Sequence, residues 1–251
     1  MASQKTSKNK ETLILMMPAF NEERNIKKTI LSWVPVMKEY PGSEILVVND
    51  GSTDETAKVL KKLSSSYKFL NVVHKDHEGH GKTIVFGYKK TLLTKHKWVF
   101  QADSDGYLEP DDFCKLWGKR AHSRLILGQR VQRKDGFYRI VLSKLISLWI
   151  LIIFGEYLKD PNIPFRLIDK NFLKNFLGKI PEGVFAPNIF LSILGAQGGH
   201  NLHQIPIRHR SYARTKSSLS LSKLFFASIR GFGELMKFKI DKLNLFTSSS
   251  D

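Results

Sequence analysis

From residue 12 to residue 128, short unbroken apolar runs alternate with stretches of helical spacing. The runs are Thr12 to Met17, Glu44 to Asn49, Phe69 to His74, the strand opening at Trp98-Val99-Phe100, and Leu125 to Gly128. Between them, Ile26, Ile30, Leu31, Val34 and Met37 recur on one helix face, and a second helix, capped by Thr53 or Asp54, runs towards Ser64. Further helices are expected from Lys82 to about Leu93 and from Asp111 through Leu116. Strands that are apolar throughout bury both faces. Alternation with helices therefore predicts an α/β fold, a mostly parallel sheet flanked by helices. Ligands of such sheets sit beyond the carboxyl ends of the strands. Three of those ends carry acids: Pro18-Ala19-Phe20-Asn21-Glu22, Asn49-Asp50-Gly51-Ser52 and Gln101-Ala102-Asp103-Ser104-Asp105.

The last of these carries the most chemistry. Asp103 and Asp105 can both face a divalent cation while Ser104 points elsewhere, and a hard cation typically takes one or two carboxylates plus substrate phosphates. A polar turn is the plain alternative for D-x-D-G. Convergence of three acidic loops on one sheet edge favours a metal-diphosphate site. Asp50 is placed to accept hydrogen bonds from a ribose or base. Two rival sites fail on spacing. The first turn, PAFNEE, lacks the G-x-G-x-x-G of a nicotinamide site, and Asp76 stands where a phosphate-binding loop ending in Gly81-Lys82-Thr83 needs glycine. The histidines lack zinc-site spacing.

Beyond residue 128 the alternation stops. A basic loop is expected over 130–139, an apolar helix over 140–158, and a loop from Asp160 to Leu167 with two prolines. An amphipathic stretch follows over 169–177, a buried helix over 187–195 and a short strand from His203 to Ile207. A basic loop covers Arg208 to Ser218. Leu221 to Leu243 interleaves Lys223, Arg230, Lys237, Lys239 and Lys242 with apolar side chains, before a disordered TSSSD tail. The formal charge of +17 calls for an anionic partner: nucleic acid, a phosphorylated substrate or an acidic membrane surface. The lone Cys114 excludes an intrachain disulfide and fits a reducing compartment. No stretch reaches the ~18 apolar residues of a membrane span. Leu142 to Phe154 reads as a buried helix or an interfacial one. The polar N-terminus shows no secretory signal.

The segments LILMMPAFNEERNI, ILVVNDGSTDET, EGHGKT and FQADSDGYLEP resemble the successive motifs of family 2 glycosyltransferases with the GT-A fold, over about residues 12 to 215. Within that family the chain is most similar to dolichol- or polyprenyl-phosphate sugar synthases, without their membrane-spanning region. Gly128-Gln129-Arg130, Phe165-Arg166-Leu167 and the basic loop from Arg208 to Ser218 carry that likeness. The resemblance implies a GT-A catalytic domain over 11–218, preceded by a disordered basic arm (1–10) and followed by an amphipathic basic segment (219–251). It implies that Pro18, Ala19, Phe20, Glu22 and Ala102 belong to the donor site, with Val48 and Asp50 around base and ribose. Asp103 and Asp105 would hold Mg²⁺ or Mn²⁺ on the diphosphate, with Gln101 as a further ligand where such synthases have an acid. Arg130, Arg139, Arg210, Arg214 and Lys216 would grip phosphates. Thr215 and Tyr212 stand where the synthases' basic loop has glycine and arginine.

These implications describe a metal-dependent, inverting transferase with a GDP- or UDP-sugar donor and a polyprenyl phosphate acceptor. Family members that use hydroxyl acceptors carry an acid at the start of the late helix. Asn188 stands in that region and only Glu182 is near it, which favours a phosphate acceptor, already ionised and needing no base. Extension of a glycan at a hydroxyl is the alternative. A non-catalytic basic protein on nucleic acid or membrane is a third reading, opposed by acidic loops that would repel a phosphate backbone. No nucleic-acid partner is expected. The protein is expected in the cytoplasm, reversibly on the anionic face of a membrane through 221–243.

Overall fold

The computed structural model describes residues 11–108, 110–131, 137–199, 202–208 and 221–247. Its elements follow the chain as β1 (Leu13–Ala19), α1 (Ile26–Glu39), β2 (Glu44–Asp50), α2 (Thr56–Ser66), β3 (Leu70–Lys75), α3 (His80–Leu92) and β4 (Trp98–Ala102). Then come α4 (Phe113–Trp117), β5 (Leu125–Val131), α5 (Phe137–Phe154), β6 (Phe165–Asp169), α6 (Lys170–Phe176), α7 (Pro187–Gln197), β7 (His203–Arg208) and α8 (Leu221–Thr247). The strands form one sheet in the order β3-β2-β1-β4-β6-β5-β7. All neighbours pair in parallel except β6, which is antiparallel to both β4 and β5.

The apolar runs become strands because both sheet faces are covered. Every residue of β1 and β4 is buried. On one face α1 inserts Trp33 among Phe100, Phe113 and Phe165, with ring centroids 5.3, 5.9 and 6.2 Å away. On the other face Gly87 of α3 lies against Met16, where any side chain would collide with the methionine sulfur. The chain runs outward from β1 through β2 to β3, then crosses back to lay β4 on the other side of β1. The strand order therefore reverses at β1 and β4. A crevice opens beyond their carboxyl ends, where open α/β sheets bind ligands.

Four boundaries differ from the sequence expectation. The segment expected as a loop through Leu167 contains strand β6, whose Arg166 interrupts the apolar run. Strand β5 runs to Val131, so Arg130 sits on a strand rather than in a basic loop. Helix α5 begins at Phe137, so the backbone of Arg139 is in its first turn, and the helix ends at Phe154. Helix α8 continues to Thr247. It packs along α5 and reaches α7, with Trp149 against Phe232 (5.4 Å) and Phe238 against Phe154 (6.0 Å) and Phe190 (5.1 Å). Among the described residues no helix is long and apolar enough to cross a membrane. The arm over 1–10, the domain boundary near 218 and residues 248–251 lie outside the described residues.

Candidate active site

The crevice at β1 and β4 is a cleft of about 310 Å³. From the expected residues it gathers Pro18, Ala19, Phe20, Glu22, Asp50, Asp103 and Asp105, and it adds His77, His80, Thr83 and Ser104. The first loop is held in place by the second. Asn21 adopts a left-handed backbone (φ 54°), uncommon for a residue with a Cβ. Its N–H donates to Ser52 Oγ (3.0 Å) and its Oδ1 accepts from the Thr53 N–H (2.8 Å). The Glu22 N–H donates to Thr56 Oγ1 at 2.8 Å. These bonds tie PAFNE to the start of α2.

Ser104 supplies the third fixing point. Its hydroxyl donates to the Pro18 carbonyl (2.8 Å) and its own carbonyl accepts from Thr29 Oγ1 (3.0 Å). Ser104 is thereby turned into the protein, and the acids on either side of it line the cleft. The Asp105 carboxylate accepts from the Tyr107 N–H at 3.0 Å. The buried Oδ1 of Asp103 has no hydrogen-bond partner among the described residues. Burial, then the charge of Asp105, push the Asp103 carboxyl well above the ordinary range; Arg130 and Arg166 pull it back and Glu22 adds to the rise. Glu22 is raised by burial and by Asp105 and Asp54, against its hydrogen bond from Asn25.

Glu22, Asp103 and Asp105 thus crowd one part of the cleft, and a buried oxygen of Asp103 has no partner among the described residues. That donor set fits a hard divalent cation whose remaining ligands come from a bound diphosphate. Among the described residues no group of three or more His, Cys, Asp or Glu side chains is arranged to hold a metal by itself.

Four expected residues with described side chains, Gln101, Val48, Ala102 and Arg130, are not among those lining the cleft. Gln101 is fully buried and faces α3, where its Oε1 accepts from Tyr88 Oη at 2.5 Å. It does not line the cleft, so it is not placed as a metal ligand. The same hydroxyl lies 3.0 Å from Asn188 Oδ1. One hydroxyl proton serves one acceptor, so the other amide must present its NH₂ to the tyrosine oxygen. Val48 and Ala102 are 0% exposed within the sheet and do not reach the cleft.

Asp50 reaches the cleft wall but its carboxylate is engaged within the chain. It accepts from Lys75 Nζ (2.6 Å) and from the N–H groups of Glu78 (3.1 Å) and Gly79 (3.0 Å), and lies 3.0 Å from His77 Nδ1. Burial alone would raise its carboxyl, but Lys75 and the backbone donors outweigh burial and hold it at about 2. Asp50 therefore shapes the 76–80 loop. That loop brings His77 over Phe20, the two rings stacked at 4.1 Å. Gly51 (φ 67°) permits the approach, since a Cβ there would lie 2.8 Å from the His77 nitrogen.

The expected phosphate grips are partly visible. Arg130 forks onto Asp160, Nε to Oδ2 at 2.8 Å and Nη2 to Oδ1 at 2.9 Å. Among the described residues Arg166, fully buried, bonds carbonyls and a hydroxyl and forms no ion pair with Asp160 or Asp169. The side chain of Arg139, and Arg210, Arg214 and Lys216, lie outside the described residues. Sequence reasoning missed His77, His80, Thr83 and Asp160. The H-E-G-H-G stretch following β3 was the available signal for the first three, because a loop after a parallel strand must end on the same edge.

Comparison with known proteins agrees with this fold. The model of glycosyl transferase family 2 matches residues 14–190. The UDP-N-acetylglucosamine–dolichyl-phosphate N-acetylglucosaminyltransferase of Methanococcus voltae is 23% identical over 85% of this chain and 93% of its own. The polyprenol monophosphomannose synthase of Mycolicibacterium smegmatis is 24% identical over 86% of this chain and 82% of its own. Among solved structures, glucosyl-3-phosphoglycerate synthase from Mycobacterium tuberculosis, in complex with Mn²⁺, UDP-glucose and phosphoglyceric acid, superposes with a TM-score of 0.67 at 18% identity, covering 91% of this chain and 80% of that one. The sheet and its flanking helices are those of the GT-A fold. The chain belongs to glycosyl transferase family 2 and is a glycosyltransferase.

Proposed function

We propose that this family 2 glycosyltransferase moves a sugar from a GDP- or UDP-linked donor to the phosphate of a polyprenyl phosphate. The observation that carries the acceptor is the start of α7. Asn188 stands there, 1% exposed, with its side chain on Tyr88 and its carbonyl accepting from Arg166. Glu182 lines a separate groove between α3 and the 177–184 segment. A hydroxyl acceptor needs a general base within hydrogen-bond reach; an ionised phosphate oxygen needs none. The dolichyl-phosphate and polyprenol relatives support the same acceptor class.

Asp103 and Asp105 would hold a divalent cation, Mg²⁺ or Mn²⁺, which as a Lewis acid offsets the charge developing on the departing nucleoside diphosphate. The stacked Phe20 and His77 offer an aromatic wall to the base, and the Asn21 turn sets the angle of that wall. Arg130, on β5 and held by Asp160, would offer a charge-assisted contact for phosphate. With the leaving group bound on the acid side, the anomeric carbon is open from the opposite face. The acceptor oxygen forms its bond to that carbon as the sugar–diphosphate bond breaks, and the configuration inverts.

The acceptor is membrane-borne, and the α5–α8 pair supports a membrane-facing surface. Leu148 and Ile152 of α5 are 47% and 71% exposed, and Ile229, Phe232, Met236 and Ile240 of α8 are also exposed. Lys144 and Lys237 are exposed on the same two helices. An apolar face beside lysines, on a chain of net charge +17, suits reversible binding to an anionic cytoplasmic leaflet.

The test is sugar transfer with Mn²⁺ or Mg²⁺ to polyprenyl phosphate and, separately, to the corresponding polyprenol. Turnover with the phosphate alone, lost on chelation and in Asp103→Ala and Asp105→Ala, is expected. Transfer to hydroxyl acceptors alone, or full activity of both variants under chelation, would overturn the proposal.

A further inference from the structure

Arg130 is the one expected phosphate grip whose side chain is fully described, and its setting is unusual. The guanidinium side chain is 16% exposed and the Asp160 that forks it is 4% exposed. The Asp160 carboxylate also lies 3.4 Å from the Arg130 backbone nitrogen. A surface arginine swings through many rotamers; one forked onto a buried carboxylate is fixed in direction.

The carboxylate is itself held from below. Asp160 opens a tight turn whose Ile163 N–H donates back to the Asp160 carbonyl at 3.2 Å. Arg166 grips that turn. Its Nε and Nη2 donate to the Ile163 carbonyl (2.9 and 2.6 Å), and Nη2 also donates to the Pro161 carbonyl (3.1 Å). Its Nη1 donates to the Asn188 carbonyl (3.0 Å) and to Ser192 Oγ (3.3 Å). Ser192 Oγ in turn lies 2.8 Å from the Pro161 carbonyl. The five N–H donors of a guanidinium are all engaged, and all on neutral acceptors.

A fully buried cation with no carboxylate in direct contact among the described residues is costly, and a neutral side chain could fill the same space. What only arginine supplies is a planar fork able to reach carbonyls on two segments at once. One segment carries Asp160. The other is the first turn of α7, whose Asn188 side chain meets Tyr88.

We propose that Arg166 and Asp160 are positioning residues that aim Arg130 at the acceptor phosphate. Arg166 fixes the 160–163 turn, the turn presents the Asp160 carboxylate, and the carboxylate orients the Arg130 guanidinium across the end of β5. The inference rests on the proposed phosphate acceptor.

Steady-state kinetics on the full chain test it, with polyprenyl phosphate and nucleotide sugar varied in turn. Asp160→Asn keeps the volume and loses the charged fork. It should raise the acceptor KM roughly 10- to 100-fold while leaving donor KM within about twofold, as expected when one group is misaimed. Asp160→Glu should recover part of the loss. Arg166→Lys keeps the charge but not the fork, and should shift the acceptor KM in the same direction. Arg130→Ala combined with Asp160→Asn should be no worse than Arg130→Ala alone, because both remove one device. Additive losses in the double variant, or equal rises in donor and acceptor KM, would overturn the relay. If Arg130→Ala raises acceptor KM and Asp160→Asn does not, the relay fails and the phosphate role of Arg130 stands. If Arg130→Ala leaves acceptor KM unchanged, that role fails too. Should Arg166→Lys not fold, the Asp160 variants and the double variant decide alone.

Discussion

Replacing Asp103 by asparagine should make the ligand-free protein more stable while abolishing its activity. The buried Oδ1 has no partner among the described residues, and the carboxylate faces Glu22 and Asp105 across one cleft. Leaving a buried polar atom unsatisfied costs about 1–3 kcal/mol, more when it is charged. Asparagine removes the charge and keeps the shape. A gain of about 1–3 kcal/mol corresponds to a rise in Tm of roughly 2–8 °C for a chain of this size. Thermal unfolding in chelator at pH 7.5 to 8 measures it. Adding Mn²⁺ with a nucleoside diphosphate should reverse the order, because a ligand at a hundred times its Kd stabilises by about 2.7 kcal/mol and only the wild type would bind. A variant less stable than wild type in chelator, or equally stabilised by Mn²⁺ and nucleotide, would refute the view that Asp103 is held ready for a cation.

Asp50 should show the opposite sign. Its carboxyl is depressed from 3.8 to about 2, so its contribution is fully present above about pH 4 and is lost as pH falls through 2. At about 1.4 kcal/mol per pH unit, Asp50→Asn should cost roughly 2 kcal/mol at pH 7 and little at pH 2, read by urea unfolding at both; a loss independent of pH would refute this. Tyr88→Phe should lower the urea midpoint by the equivalent of about 1–3 kcal/mol, since Gln101 and Asn188 then share no hydroxyl; an unchanged midpoint would count against that network. Ile229→Glu with Ile240→Glu should weaken flotation with anionic liposomes and leave Tm unchanged, because both side chains are more than half exposed; undiminished flotation would return that face to solvent.

The first half of the fold was legible because its signals are local. Three of the first four strands, β1, β2 and β4, are built on continuous apolar runs, and each acidic loop follows its strand directly in sequence. The parallel sheet and the convergence of Phe20, Asp50 and Asp103 on one edge follow from that order alone. What was hidden depends on partners distant along the chain. Strand β6 reads as a loop because Pro161 and Pro164 precede it and Arg166 is its second residue. The charge is accommodated by carbonyls of the preceding turn and by the Asn188 carbonyl, 22 residues further on, and the Ser192 hydroxyl of α7. Gln101 reads as a stand-in for a metal ligand. Alternation along β4 instead turns it to the face of Tyr88, 13 residues earlier, and Asn188. Asp50 reads as a ligand contact until Lys75 and the 78–79 amides close around it. Arg130 was recognised, but not Asp160, which meets it across 30 residues.

Transfer to a phosphate oxygen at the Asp103–Asp105 cleft is decided by the linkage in the product. The protein, incubated with Mn²⁺, an α-linked nucleotide sugar and polyprenyl phosphate, should yield a lipid-extractable β-glycosyl phosphate that releases free sugar in mild acid. An acid-stable glycoside, or a product of retained configuration, would contradict the account.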